Sequence, residues 1–288
     1  MGKLAGSGCE VLVPLSERKP LKEIERNIIT KFRYPIWSKF VKANTDYQFV
    51  NEGDKIAVAV SGGKDSLLMA KLFQELQCHG RVKFEVEFIA MDPGYHSNVK
   101  ELLISNCAYL NIPITLFDSR IFEIADNVAS DYPCYLCAKM RRGALYSKAL
   151  ELGCNKLALG HHFNDVIETT LLNLLCAGSV KTMMPKLKSK NFKGLELIRP
   201  MYYIRESSIE EFTRESGISP MNCACMVAAK KTGNKRYEIK SLIKELNLNF
   251  QEVEKSIFRA AQNVQLDCIL GWKKEGVPHS FLDFYDEE

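Results

Sequence analysis

The chain lacks any apolar run that approaches the roughly 20 residues a membrane-spanning helix needs. Its first residues, MGKLAGSGCEVLVPL, have neither the apolar core nor the cleavage site of a secretory signal. Internal repeats and low-complexity tracts are also missing, which argues against a repeat architecture and against a disordered chain. We therefore expect a cytoplasmic globular protein that does not bind a membrane.

A strong excess of one charge is missing as well. The 39 lysine and arginine residues nearly balance the 35 aspartate and glutamate residues and leave a net charge of +4. This balance permits contact with nucleic acid but does not require it, so basic patches have to be identified locally. With 46% apolar and 26% charged residues, the 288 residues suit one large globular domain or two modest ones.

Cysteine, in contrast, is frequent, with ten residues, although a cytosolic chain of this length needs no disulfide framework. Three of them, Cys107, Cys154 and Cys176, fall in apolar patterns and are predicted to be buried. Two close pairs stand apart, in PCYLC at 133–137 and NCAC at 222–225. Such pairs in a reducing compartment indicate metal or redox chemistry, although two packed thiols remain an alternative for a lone CxxC.

Strands and helices alternate along the central part of the chain. Strands are predicted over residues 55–60, 82–91, 113–117 and 156–159. Helices are predicted over residues 65–76, 98–110, 138–152 and 165–175. The alternation predicts an α/β fold, with a Rossmann-like parallel sheet and helices on both faces. Such a sheet binds ligands at the carboxyl ends of its strands, near a topological switch point.

The segments on either side follow other patterns. Residues 21–43 show helical periodicity with a break at Pro35, which predicts an N-terminal helical segment. After Gly178, the sequence NFKG between residues 186–190 and 195–198 predicts a hairpin. Ser208-x-x-Glu211 predicts a capping box for a helix that runs to residue 215. The last part of the chain is predicted to be helical.

The most informative motif is SGGKDS at 61–66, which joins the first predicted strand to a helix. Glycines let the backbone approach an anion closely, and the amides and dipole at the helix start attract it. The motif is not a Walker loop, because Asp65 follows Lys64 where that loop has serine or threonine. An acid there repels a bare triphosphate unless magnesium intervenes. The loop therefore predicts a metal-bridged pyrophosphate, with chemistry at the α-phosphate.

The motifs together resemble the tRNA 2-thiocytidine synthetase family of PP-loop (N-type) ATP pyrophosphatases. The resemblance covers about residues 30–265 and rests on SGGKDS, CxxC, RRG, LALGHH, MPKL, IRPMYY and the later cysteines, in that order. It implies an adenine nucleotide alpha hydrolase-like fold, ATP with Mg²⁺, and a [4Fe–4S] cluster on three cysteines. It also implies AMP transfer to a pyrimidine O2 and its replacement by sulfur, with cytidine 32 in the tRNA anticodon loop as the expected base.

The resemblance also assigns the site residue by residue. Cys134 and Cys137 match the first cluster pair. The family's second CxxC is here CAC; counting forward from the preceding helix favours Cys223 as third ligand, with Cys225 as the alternative. A cluster on three cysteines leaves one iron open, which could bind a sulfide. The implied catalytic residues are Lys64, Asp65, Arg141 and Asp165. The implied nucleotide contacts are Ser61, Gly62, Gly63, Lys64, Asp65, Ser66, Met91, Asp92, Gly160 and His161.

The corresponding domains are an N-terminal helical segment at 1–50, a PP-loop catalytic domain at 51–218, and a C-terminal helical region at 219–288 with the third cluster cysteine. Expected partners are tRNA, a sulfur donor such as a cysteine desulfurase or free sulfide, and a second copy in a homodimer. Basic residues at 139–148, 181–193 and 230–240 could meet tRNA phosphates, although single exposed lysines are common. Tyr202 and Tyr203 could stack on splayed bases or pack internally.

Two alternatives stay open from the sequence. A related thiolase could act on another tRNA base or on a small molecule. A uridine 54 enzyme of the archaeal type is disfavoured, because its terminal zinc-finger cysteines have no counterpart here. The second alternative is a nucleotide-binding iron–sulfur redox protein without transferase activity, which would bind ATP without forming AMP.

Overall fold

The structure is a computed structural model that describes residues 18–95, 97–119, 133–221 and 235–285, the first six residues of the third range in their backbone only. Its central element is a six-stranded sheet in the order β3-β2-β1-β4-β6-β5. The strands are β1 Lys55–Ala59, β2 Glu85–Asp92, β3 Ile114–Asp118, β4 Lys156–Ala158, β5 Lys186–Lys188 and β6 Glu196–Ile198. All neighbours pair in parallel except β5, which is antiparallel to β6. The predicted α/β fold with a parallel sheet is confirmed.

The described helices flank and follow these strands. Before the sheet lie α1 Leu21–Ile29, a π-helical turn Arg33–Trp37 and α2 Ser38–Tyr47. The predicted break falls at residues 30–32 rather than at Pro35, which lies inside the π-helical turn. Within the sheet region lie α3 Lys64–His79, α4 Ser97–Tyr109, α5 Pro133–Glu151, α6 Phe163–Ala177 and α7 Glu206–Glu215. The C-terminal part contains α8 Lys235–Asn249 and α9 Val253–Ala260, and then the two-stranded hairpin of β7 Gly271–Lys274 and β8 Val277–Ser280.

Four further predictions of local structure are corrected. Helix α5 begins at Pro133 rather than at residue 138, because proline suits the first helical position, where no backbone N–H is needed. The C-terminal region is not wholly helical, since Glu275 and Gly276 both have positive φ and form a two-residue hairpin turn. Cys107 and Cys154 are buried as predicted, but Cys176 in the last turn of α6 is exposed.

The capping box at Ser208 is also wrong. Helix α7 already begins at Glu206, so Ser208 lies inside the helix, and Arg205 at the N-cap makes no side-chain cap. The backbone N–H of Glu206 donates instead to Oδ1 of Asn164, 3.0 Å away. The acceptor that starts this helix thus comes from a residue distant in sequence.

The chain divides into two compact units, and the first comprises Met1–Val166 and Met184–Asn234 and holds the whole six-stranded sheet. Its N-terminal helices bury aromatic rings against α3 and α7. Phe40 meets Phe73 at a ring-centroid distance of 5.7 Å, and Phe32 meets Phe212 at 5.4 Å, both edge to face. The N-terminal segment therefore shares an aromatic core with the sheet region. The predicted boundaries at 50 and 218 stay predictions.

A buried ion pair supports the amino ends of the two central strands. Nζ of Lys156, at the start of β4, lies 2.6 Å from Oδ2 of Asp54, just before β1, and both side chains are buried. Asp54 also accepts hydrogen bonds from the Asn155 amide and the Asn51 backbone N–H. Burial by itself would raise the pKa of Asp54, but these bonds outweigh it and the pKa lies below its usual value.

The second unit comprises Ile167–Met183 and Lys235–Glu288. Within it, Nε of Arg236 on α8 lies 2.8 Å from Oε2 of the buried Glu168 on α6. The hairpin stacks Trp272 between the rings of His279 and Phe284 at centroid distances of 5.3 and 5.7 Å. None of the helices in the described ranges combines the length and the apolar character that a membrane span requires.

Candidate functional site

The candidate site lies where the strand order reverses. The chain proceeds outward from β1 to β2 and β3, and then returns to place β4 on the other side of β1. The carboxyl ends of β1 and β4 border a cavity of about 450 Å³. Its lining brings together these predicted site residues: Ser61, Asp65, Ser66, Met91, Arg141, Gly160, His161 and Asp165. A crevice at this reversal is the expected binding place in an open α/β sheet.

The loop after β1 is shaped for close approach. Gly62 has φ +82°, and a Cβ atom there would lie 2.3 Å from Sδ of Met221. Only glycine accommodates both the left-handed backbone and this contact. Gly63 precedes the first residue of α3. The N–H groups at the start of this helix are therefore available to an anion in the cavity.

Ser66 holds this loop from inside. Its hydroxyl accepts the backbone N–H of Ser61 at 3.1 Å and donates to the carbonyl of Gly63 at 3.0 Å. Gly160 after β4 approaches the same turn, because a Cβ atom there would lie 3.4 Å from the backbone nitrogen of Ser66. These contacts fix the loop conformation before any ligand arrives.

Lys64 is held between two carboxylates. Its Nζ lies 3.1 Å from Oδ1 of Asp65 and 3.3 Å from Oε1 of Glu206. Burial would lower the pKa of Lys64, but the two carboxylates outweigh that effect and raise it. The ammonium is therefore charged, and any phosphate that it binds competes with the two carboxylates. Glu206 was not predicted from the sequence, since only the fold brings it to the loop.

His162 lies between two site carboxylates. Its side chain is 5% exposed, with Nε2 3.8 Å from Asp65 and Nδ1 3.6 Å from Asp165. The backbone N–H of His162 also donates to Oδ2 of Asp165 at 2.9 Å. The neighbouring His161 instead lines the cavity. Of the two histidines, His161 lines the cavity and His162 is buried beside the two carboxylates.

Asp92 does not line the cavity. Its Oδ1 accepts the backbone N–H groups of Gly94 and Tyr95, and its Oδ2 pairs with Lys100 at 3.0 Å. Burial would raise the pKa of Asp92, but these bonds hold it below its usual value. Asp92 therefore shapes the turn after β2, and Met91 and Tyr95 supply the lining on that side.

The two tyrosines after β6 pack internally. Tyr202 is buried, and its ring meets Tyr47 edge to face at 5.3 Å. The Tyr203 hydroxyl lies 3.0 Å from Oδ2 of Asp46 and 2.9 Å from the Tyr47 hydroxyl. Of the two roles predicted for these tyrosines, the structure favours internal packing over stacking on RNA bases.

The predicted cluster cysteines are only partly within the described chain. Cys134 and Cys137 lie in α5, three residues apart, which is close to one helical turn. Cys223 and Cys225 lie outside the described residues. Within the described part, no group of three or more His, Cys, Asp or Glu side chains is arranged to hold a metal ion.

The sequence matches a domain family and two named relatives. The model of the PP-loop domain family matches residues 36–222. A tRNA-cytidine(32) 2-sulfurtransferase from Pelobacter propionicus is 37% identical over 239 residues, covering 82% of this chain and 88% of that one. A protein of the same name from Geotalea uraniireducens is 35% identical over 246 residues, covering 84% and 94%.

The fold also matches a solved structure. The U34-tRNA thiolase NcsA from Methanococcus maripaludis, solved with its [4Fe–4S] cluster, superposes with a TM-score of 0.61. The match covers 81% of this chain and 80% of that one at 21% identity. At this identity the likeness shows the fold.

Proposed function

Because the chain belongs to the PP-loop family and, within it, to the tRNA-cytidine(32) 2-sulfurtransferases, we propose that it is an ATP-dependent tRNA sulfurtransferase. Its expected product is 2-thiocytidine at position 32 of the anticodon loop. The observation that carries the proposal is the preformed loop 61–66 at the strand reversal, beside a cavity large enough for a nucleotide.

ATP fits the lining of this cavity. The start of α3 and the left-handed Gly62 form a concave set of N–H groups for the β- and γ-phosphates, with Lys64 as the adjacent cation. Met91 and Tyr95 line the β2 side, where apolar and aromatic contacts suit adenine. Arg141 lines the cavity from α5, and we assign it to the charge that develops on the α-phosphate.

The acids of the site fit a magnesium ion. Asp65 and Asp165 both line the cavity, and carboxylate oxygens are preferred magnesium ligands. Their shared neighbour His162 lies 3.8 Å from Asp65 and 3.6 Å from Asp165, so both carboxylates are near one imidazole. Asp65 and Asp165 would hold the ion, which would offset the negative charge of the pyrophosphate.

The proposed cluster ligands come from two places in the sequence, the start of α5 and the residues after Met221. Cys134 and Cys137 are about one turn apart, and Arg141 follows Cys137 by four residues on the same helix. We propose Cys223 as third ligand, with Cys225 as its alternative. A [4Fe–4S] cluster on three cysteines supplies an iron without a protein ligand, and with it the sulfur chemistry.

The reaction divides into two balanced steps. The pyrimidine O2 attacks the α-phosphorus of ATP, and the bond to the bridging oxygen breaks, so that pyrophosphate leaves toward Lys64. Sulfide then attacks C2, and the C2–O2 bond breaks. The original oxygen departs in AMP, and the base carries sulfur in its place. Lys64 and Arg141 act on the negative charge that each step develops.

The remaining parts of the proposal concern partners and location. We propose that a cysteine desulfurase or free sulfide is the sulfur source, that the chain acts in the cytoplasm, and that it forms a homodimer.

A defined test of the activity uses the chain purified in the absence of oxygen. The chain is then mixed with ATP, Mg²⁺, sulfide and unmodified tRNA. We expect AMP and 2-thiocytidine in equal amounts, and both to require tRNA. ATP binding without tRNA-dependent AMP formation would support the non-catalytic redox alternative instead.

A further inference from the structure

A buried arginine without an acidic partner lies next to the candidate site. Arg199 directly follows β6, and its side chain is 5% exposed. Its Nη1 donates to the carbonyl oxygen of Met184. Its Nε is buried without a hydrogen-bond partner, and among the described residues no carboxylate forms an ion pair with the guanidinium. A buried cation left in this state is costly unless an anion joins it.

A second arginine, Arg142 on α5, is near enough for its charge to act on Arg199. Arg142 is exposed and lines the cavity, and its charge acts on Arg199 and on Tyr146 one turn further along the helix. Burial, followed by repulsion from Arg142, lowers the pKa of Arg199 to about 10, so Arg199 stays charged at neutral pH. Asp165 attracts Arg199 only weakly by comparison. The charge of Arg142 thus acts on Arg199, and Asp165 offsets it only in part.

The position of the pair in the sheet indicates which anion it takes. The loop that holds the pyrophosphate follows β1, and Met91 at the end of β2 marks the nucleotide side. Arg199 follows β6, on the opposite side of β1 and beyond β4. Since adjacent strands lie about 4.8 Å apart, the end of β6 is roughly 10 Å from the end of β1. One pyrophosphate cannot occupy both places.

We propose that Arg142 and Arg199 form a binding site for one phosphodiester group of the RNA substrate. Arg142 contacts the phosphate from the cavity side, and Arg199 supplies a second positive charge from the end of β6. The inference rests on the proposed function, because it takes the second substrate to be RNA. It adds a residue, Arg199, and a place for the RNA backbone on the β6 side of the cavity.

The test measures tRNA binding by the full chain with its cluster, by fluorescence anisotropy over a series of salt concentrations. The variants are Arg142→Gln, Arg199→Gln and Arg199→Lys, with Arg214→Gln on the exposed face of α7 as the matched control. We expect each glutamine variant to lose about 10-fold in tRNA affinity, as a lost charge-assisted contact does. For Arg142→Gln, the slope of log affinity against log salt concentration should become shallower by about one counterion. Arg199→Lys and Arg214→Gln should stay near wild type, and ATP affinity should not change.

A double variant separates one shared phosphate from two independent contacts. If both arginines hold the same phosphate, Arg142→Gln/Arg199→Gln loses about as much as either single variant rather than about 100-fold. Arg142→Gln changes an exposed side chain, so we expect the variant to fold. If it keeps the tRNA affinity and the salt dependence of the wild-type chain, the inference is overturned. Weaker ATP binding with unchanged tRNA binding would assign the pair to the nucleotide instead. Absence of tRNA binding by the wild-type chain would count against the proposed function itself.

Discussion

The backbone N–H of Met221 donates a 2.9 Å hydrogen bond to the carbonyl of Gly62, and its Sδ fills the space beside the Gly62 Cα. Met221 precedes Cys223 by two residues, so the chain that leads to a proposed cluster ligand is fastened to the proposed phosphate loop. Asn106 supports the same stretch, since its Nδ2 donates to the carbonyl of Ser219 at 2.7 Å. The proposed phosphate loop and the segment that leads to a proposed cluster ligand are therefore connected by a backbone hydrogen bond.

Gly62→Ala should abolish ATP binding. The added Cβ would overlap Met221 Sδ at 2.3 Å and would strain a backbone at φ +82°. Gly153→Ala is the matched control, because Gly153 has φ +72° but nothing within 4 Å of an added Cβ. Titration calorimetry with ATP and a thermal melt would compare them. We expect both variants to lose some stability and only Gly62→Ala to lose ATP; equal ATP affinity in the two would contradict this account of the loop.

Glu206→Gln should strengthen ATP binding. Glu206 competes with a phosphate for the ammonium of Lys64, and a neutral amide at position 206 competes less strongly than a carboxylate. We expect roughly 3- to 10-fold tighter Mg–ATP binding, within the range of a charge-assisted contact. Glu211→Gln, exposed on the same helix, is the control and should bind ATP as wild type does. Weaker binding in Glu206→Gln would show that Glu206 holds Lys64 in its working position.

Cys134→Ser should remove the visible absorbance of an iron–sulfur cluster and the thiolation activity, and ATP binding should remain. Cys78→Ser, at an exposed cysteine in α3, is the control for loss of a thiol and should keep both. The same spectra of Cys223→Ser and Cys225→Ser identify the third ligand. A cluster that persists in Cys134→Ser would remove that residue from the ligand set.

Lys156→Met should destabilise the fold most at neutral pH. It leaves the buried Asp54 without its cation, a change that typically costs about 3 kcal/mol or more. The wild-type pKa of Asp54 is lowered, so its stabilising contribution is complete above the unfolded pKa and is lost as the pH falls through the folded pKa. In the variant, burial favours the neutral carboxyl, so lowering the pH stabilises it.

The difference in unfolding free energy between wild type and Lys156→Met should therefore shrink from pH 7 toward pH 4. Urea unfolding at several pH values measures it, with Lys55→Met as the control. Lys55 pairs with Glu85 and Glu87 at the surface, so its loss should change stability little. A difference that stays constant over this pH range would contradict the assigned role of Asp54.

Local patterns predicted the parts of the site that are local. SGGKDS and LALGHH place a loop and a strand end by their own glycines and apolar runs, and the structure brings Ser61, Asp65, Gly160 and His161 around one cavity. The alternation of strands and helices was likewise sufficient to predict the parallel sheet, because parallel neighbours need a crossover connection, usually a helix.

The remaining features depend on contacts between distant segments. Glu206 reaches Lys64, and Asn164 starts α7, only because β4 and β6 are neighbours in the sheet. Nothing near Ser208 in the sequence reveals that acceptor. Two signals were available locally: Pro133 favours a helix start, and Glu275-Gly276 suits a two-residue hairpin turn.

The central claim is that this chain puts sulfur on a tRNA pyrimidine, and the nucleosides of cellular tRNA report it directly. Mass spectrometry should compare cells with the gene, without it, and with the Cys134→Ser form restored. We expect 2-thiocytidine to disappear on deletion, to return with the wild-type gene and to stay absent with Cys134→Ser. An unchanged set of thiolated nucleosides after deletion would contradict the account.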